Sequence, residues 1–149
     1  MMQKKVQIIS DGSLDLSQEL TKEKDIEVVP FYVSFDSETY QKEMVEVGVR
    51  EFYQEMVDHP TVFPKTSMPS VHDYYEVFEK HAKEQLPVIC ICITRKFSGS
   101  LQSATTAKDM ILEEYPDAQI TVIDSTVNTV LPDSYTHLRA HETSAHLVC

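Results

Sequence analysis

Short apolar runs alternate with amphipathic segments along most of this chain. Lys5-Val6-Gln7-Ile8-Ile9-Ser10 reads as a first strand, and a short helix follows around Ser17 to Lys24 with Asp15 or Ser17 as candidate caps. Glu27 to Phe35 is the next strand. Its Pro30 has no N–H to give to a ladder, which predicts an edge position or a bulge. Val49, Phe52, Tyr53, Met56 and Val57 fall at helical spacing and form the stripe of an amphipathic helix. Ser70 and Asp73 form a capping-box pair that opens another helix, with Tyr74, Tyr75, Phe78 and Ala82 as its buried face. The long connection between these two helices carries Pro60, Pro64 and Pro69, and long ordered loops are often functional.

Pro87 to Thr94 is almost wholly apolar, the pattern of a central parallel strand covered on both faces. It turns through Ser98-Gly99 into a helix carrying Leu101, Ala104, Ile111, Leu112 and Tyr115, which Pro116-Asp117 ends. Gln119 to Asp124 is the fourth strand. With strands near 5–10, 27–35, 87–94 and 119–124, the expected fold is α/β, a mostly parallel four-stranded sheet flanked by helices. Ligands of such sheets bind beyond the carboxyl ends of the strands. Asp11 to Ser13, Ser98 to Ser100 and Asp124-Ser125 all follow strand ends, and Thr66-Ser67 can join them from the long loop.

Composition narrows the partners. The chain has 149 residues, 42% of them apolar, which is enough for one domain with a real core. Its formal charge of −11 disfavours nucleic acid and anionic membrane surfaces, so an anionic ligand has to be held by local geometry. No run reaches membrane-spanning length, and the interrupted run after Lys4-Lys5 is not a signal peptide. Cys90, Cys92 and Cys149 do not form a disulfide framework, and the expected location is the cytoplasm.

The candidate chemistry is a set of hydroxyl-bearing turns. Asp11-Gly12-Ser13, Thr66-Ser67-Met68-Pro69-Ser70 and Phe97-Ser98-Gly99-Ser100 offer neutral donors, and the last two open helix-like segments whose free N–H groups favour a carboxylate or phosphate. All these hydroxyls also suit ordinary helix caps. A nucleophilic Ser98 lacks the Gly-x-Ser-x-Gly elbow and a histidine in triad order. Three glycines are too few for a phosphate-binding loop or a dinucleotide fingerprint. Cys90 and Cys92 lack the further ligands of a tetrahedral site and read as small core residues. His137, His141 and His146 lack a supporting context, so no metal and no cofactor is expected. Asp11 and Asp15 read as turn residues before they read as an acid–base pair, and Asp11 is retained as a site-orienting group with Ser13 and Gly99.

The order of these motifs resembles the DegV family of fatty-acid-binding proteins from about Lys5 to about Ser125. Ser10-Asp11-Gly12-Ser13-Leu14-Asp15-Leu16 matches the family's opening turn and Val28-Val29-Pro30 its second strand. Lys65-Thr66-Ser67-Met68-Pro69-Ser70 is similar to Lys-Thr-Ser-Gln-Pro-Ser with Met68 in place of Gln. Thr94 to Ala104 keeps the family's Ser98-Gly99 and Gln102-Ser103-Ala104.

The resemblance implies a noncatalytic lipid carrier. A long-chain fatty acid would be held by its carboxylate on Thr66, with Ser67 a further candidate, and on Ser98. A fatty acid kinase catalytic subunit, the partner, would receive it. It also implies that residues 1–130 are the N-terminal lobe of a two-lobed fold, with the acyl chain in a tunnel between lobes. Residues 131–149 are read as a non-family tail, disordered or artefactual. A single lobe is expected to bind more weakly than a two-lobed relative. The readings set against the carrier are a phosphotransfer or hydrolytic enzyme using the rim hydroxyls, and an inactive structural lobe.

Overall fold

The computed structural model describes residues 6–14 and 16–126. Asp15, and the expected tail with its three histidines, lie outside the described residues.

Four strands form one parallel sheet: β1 (Gln7–Asp11), β2 (Ile26–Val29), β6 (Val88–Cys92) and β7 (Ile120–Asp124), in the order β2-β1-β6-β7. Ile9 stands opposite Glu27 on one side and Cys90 on the other, and Cys90 in turn faces Val122. The two inner strands are buried at every position, which is why Val88-Ile89-Cys90-Ile91-Cys92 shows no polar alternation.

Between them run α1 (Gln18–Glu23), α3 (Val71–Lys83) and α4 (Ser100–Glu114). Ser17 caps α1 by accepting from Leu20 N. Ser70 caps α3 in a reciprocal box with Asp73, as the sequence pattern requires. α3 lies against α4, and together they cover the sheet face carrying Ile9, Val29, Cys90, Cys92 and Ile120, with Tyr74, Phe78, Ala104, Ala107 and Ile111 buried between. Small residues on α4 let α3 approach closely, so its buried stripe is Ser100, Ser103, Ala104, Ala107 and Ile111. The larger Leu101 and Leu112 stand only half-buried. Cys90 and Cys92 are core residues of this layer.

The stretch expected as one strand over 27–35 is two. β2 ends at Val29, and after Pro30-Phe31 the chain leaves the parallel sheet to form β3 (Tyr32–Ser34) in a second, antiparallel sheet. Pro30 therefore terminates an edge strand, as its missing N–H dictates. The second sheet has the order β4-β3-β5, with β4 at Gln41–Lys42 and β5 at Lys65–Ser67. Thr66-Ser67, expected on a loop, thus lies on a strand, opposite Val33 and Tyr32.

The helix read from the stripe at Val49 is present as α2 (Val49–Asp58), yet none of its residues is buried. Phe52 meets Phe35 with ring centroids 5.3 Å apart, while Val49, Tyr53, Met56 and Val57 remain exposed. The apolar period built the helix without giving it a place in the described core.

Candidate carboxylate-binding rim

Because β1, β6 and β7 are parallel, their carboxyl ends share one edge. Asp11 ends β1 there and is fully buried. Its Oδ1 accepts from Ser13 N at 3.1 Å and from Ser13 Oγ. Its Oδ2 accepts from Ile93 N at 2.8 Å and from Ser100 Oγ at 2.9 Å. All four of these partners donate, so both carboxyl oxygens are engaged as acceptors. The expected turn role of Asp11 is therefore present, and the same side chain also ties β1 to the segment after β6.

That segment, Ile93 to Gly99, carries Ser98 to the N-terminus of α4. Ser98 Oγ accepts from Ser100 N at 3.2 Å, closing a local turn in front of the helix. With one lone pair accepting from Ser100 N, the Ser98 hydroxyl keeps its proton free to donate. Gly99 is the residue before the helix and makes no side-chain cap. On the far side of the rim, Asp124 accepts from Thr126 N at 2.7 Å and from Arg95 N at 3.4 Å, and the first of these bonds leads in holding its carboxyl below the usual value.

β5 meets this turn through Met68. A Cβ built on Gly99 would stand 2.7 Å from Met68 Sδ, so the thioether occupies the space a side chain at 99 would fill. The structure thereby places the Lys65–Ser67 strand beside the Ser98 turn. Thr66 and Ser67 are exposed, and their hydroxyls make no hydrogen bond among the described residues. Successive residues of a strand point to opposite faces, so these two hydroxyls are alternatives toward any one ligand atom.

The strand is anchored at its Ser67 end. Tyr32, opposite Ser67 on β3, donates to Asp73 Oδ1 at 2.9 Å, and Asp73 holds the start of α3 through Ser70. Burial, followed by the Asp73 carboxylate, pushes the Tyr32 phenol up to about 12. Burial also acts to raise Asp73, but the bonds from Ser70 and Tyr32 outweigh it and leave the carboxyl below its ordinary value.

Ser70 is thus a cap and Ser98 a turn-former, while Thr66 and Ser67 cap nothing among the described residues. Exposed apolar side chains flank these hydroxyls in the sequence, Phe63 and Met68 beside Thr66-Ser67 and Phe97 beside Ser98. Gly12 is held by a close approach of backbone, since a Cβ there would lie 2.8 Å from Phe31 N. Beyond Gly12 open two adjoining clefts of about 240 and 380 Å³ that share Leu14, Leu16 and Met44, and Ser13 lines the larger.

Two participants were not separated out in the sequence. Ser100 was hidden in the Ser98 turn, and Tyr74 was read as core alone. A buried tyrosine hydroxyl needs a partner, and that requirement was the available signal. No cluster of three or more His, Cys, Asp or Glu suited to a metal occurs among the described residues, and no described helix is long and apolar enough to cross a membrane.

The class of protein is a parallel α/β unit with hydroxyl-bearing turns at the carboxyl edge of its main sheet, the edge at which such sheets take their ligands. The chain belongs to the DegV family of uncharacterised proteins, whose family model matches residues 5–137. It is 32% identical over 120 residues to a DegV domain-containing protein of Clostridium perfringens, an alignment covering 80% of this chain and 41% of the relative. Among solved structures it resembles a stearic-acid-binding protein from Eubacterium ventriosum, with 47% identity and a TM-score of 0.84 over 89% of this chain and 47% of that one. A DegV family protein from Thermus thermophilus whose fatty acid binding has been described is 25% identical, with a TM-score of 0.76 over 97% and 49% of the two chains. The chain spans about two fifths of the length of the curated relatives it matches.

Proposed function

We propose that this chain supplies the carboxylate-binding side of a long-chain fatty acid carrier. Ser98 donates its outward proton to one carboxylate oxygen, and Thr66, or Ser67 from the opposite face of β5, donates to the carboxylate from the other arm. Asp11, Ser13 and Gly99 hold the turn that carries Ser98. The acyl chain contributes most of the affinity, on the order of 0.8 kcal/mol per buried methylene, and the hydroxyls set which end is presented.

The observation that carries this reading is the seating of Met68 on Gly99, which brings two hydroxyl-bearing segments distant in sequence to one rim. Neutral donors suit a ligand whose own charge must meet a chain of formal charge −11. The exposed Phe63, Met68 and Phe97 fit an amphipathic ligand better than a phosphate ester. The carrier makes no covalent bond itself. It presents the oriented carboxylate to a fatty acid kinase in the cytoplasm, where the free Cys90 and Cys92 thiols fit a reducing environment. Titration with a fluorescent C18 fatty acid tests the assignment, with Thr66→Ala and Ser98→Ala binding more weakly than the parent chain.

A further inference from the structure

The hydrogen bonds behind the Ser98 turn run in one direction. An Asp11 carboxylate only accepts, so Ser100 spends its proton on Asp11 and its oxygen must accept from the Tyr74 hydroxyl. Tyr74 in turn spends its proton on Ser100, and its oxygen faces Cys92 Sγ at 3.7 Å, where the thiol proton is the donor. Cys90 Sγ stands 3.8 Å behind Cys92. Burial first, then the two thiols and Asp11, push the Tyr74 phenol far above its ordinary value, which keeps the donor proton in place.

This chain joins two helices that start from the two arms of the rim. Tyr74 lies in the opening turns of α3, four residues after the Ser70 cap and shortly after Thr66-Ser67. Ser100 is the first residue of α4, and its N–H is the one that Ser98 Oγ accepts. We propose that Tyr74 is a positioning residue for the carboxylate rim. Through Ser100 it fixes the turn whose geometry aims the Ser98 proton outward. The inference rests on the carboxylate reading above. It predicts that losing the Tyr74 hydroxyl impairs binding through Ser98, beyond any effect on folding.

A double-mutant cycle on the full chain tests it, with Tyr74→Phe and Ser98→Ala singly and together and affinity read by titration with a fluorescent C18 fatty acid. Phenylalanine keeps the ring that packs on Phe78 with centroids 5.8 Å apart. Ser98→Ala should cost ~10-fold or more in the parent and about threefold or less in the Tyr74→Phe background, the non-additivity of residues acting through one another. A role confined to stability leaves the two losses equal, which overturns the inference and leaves the carboxylate role of Ser98 standing. No loss from Ser98→Ala in either background, or no binding by the parent, overturns both. If Tyr74→Phe does not fold, Ser100→Ala breaks the same link from the other side and enters the same cycle with the same outcomes.

Discussion

Replacing Asp11 by asparagine keeps the shape of the side chain and removes two acceptor positions. The amide has one oxygen for four donors. If its NH2 took the Oδ2 position it would face Ile93 N–H and Ser100 Oγ, both buried, and leave the backbone N–H without an acceptor. If it took the Oδ1 position it would face Ser13, which is half-buried, and the Ser13 hydroxyl can rotate to accept. The second orientation is the cheaper one.

Its cost is the bond from Ser13 N together with the charge assistance on the remaining bonds, about 2–3 kcal/mol. With a urea slope of about 2 kcal/mol/M, the unfolding midpoint should fall by ~1–1.5 M. Amide exchange then reports which side paid, since Ser13 should exchange faster while Ile93 stays protected. An unchanged midpoint would refute the view that Asp11 is the hydrogen-bond hub of this edge. Faster exchange at Ile93 with Ser13 unaffected would refute the orientation argument.

Two glycines should part company when changed to alanine. At Gly12 the new Cβ meets the backbone N of Phe31, which cannot swing aside, so Gly12→Ala should cost about 1–3 kcal/mol in a urea melt. At Gly99 it meets only the end of Met68 and the backbone is relaxed (φ −82°), so Gly99→Ala should unfold within about 1 kcal/mol of the parent. Equal losses would contradict the contact assignment. Glu27 on the edge strand binds Lys80 Nζ and His81 Nε2, each at 2.6 Å. Burial acts to raise its pKa, and these two partners outweigh it and lower the value in the folded protein. A lowered folded pKa gives stability that is present above the ordinary carboxylate range and lost as pH falls through the folded value. Glu27→Gln should therefore cost about 1–2 kcal/mol near neutral pH and progressively less below pH ~4. A gap that stays constant from pH 7 to pH 3 would refute the linkage.

The parallel sheet was legible because its information is local. The continuous apolar run at 88–92, the Val6–Ile9 run that ends at Ser10-Asp11, and the Ser70–Asp73 box admit few other structures. The second sheet was not legible, because Lys65-Thr66-Ser67 has no hydrophobic alternation and becomes a strand only by pairing with Tyr32 to Ser34, more than thirty residues away. The break after Val29 was half visible, since Pro30 forbids a ladder bond but does not say that the chain will leave for another sheet. At the rim, the hydroxyls proposed to hold the carboxylate, Ser98 and Thr66, stood out in the sequence by residue type and motif. Tyr74, the partner behind the Ser98 turn, looked like any other apolar helix position because its hydroxyl finds Ser100 only in three dimensions.

The most direct test of the central claim is affinity for a fluorescent C18 fatty acid in the Thr66→Ala/Ser98→Ala double variant, with urea midpoints measured alongside. Each hydroxyl removed is a hydrogen bond to a charged acceptor, worth roughly 1.5–3 kcal/mol, so each should weaken binding by ~10-fold to ~150-fold. Thr66 makes no side-chain bond among the described residues, so Thr66→Ala should leave the midpoint near that of the parent, while Ser98→Ala removes the acceptor of Ser100 N and should cost about 1 kcal/mol of stability. A double variant that folds like the parent and binds the fatty acid as tightly would contradict the assignment of the carboxylate to these residues.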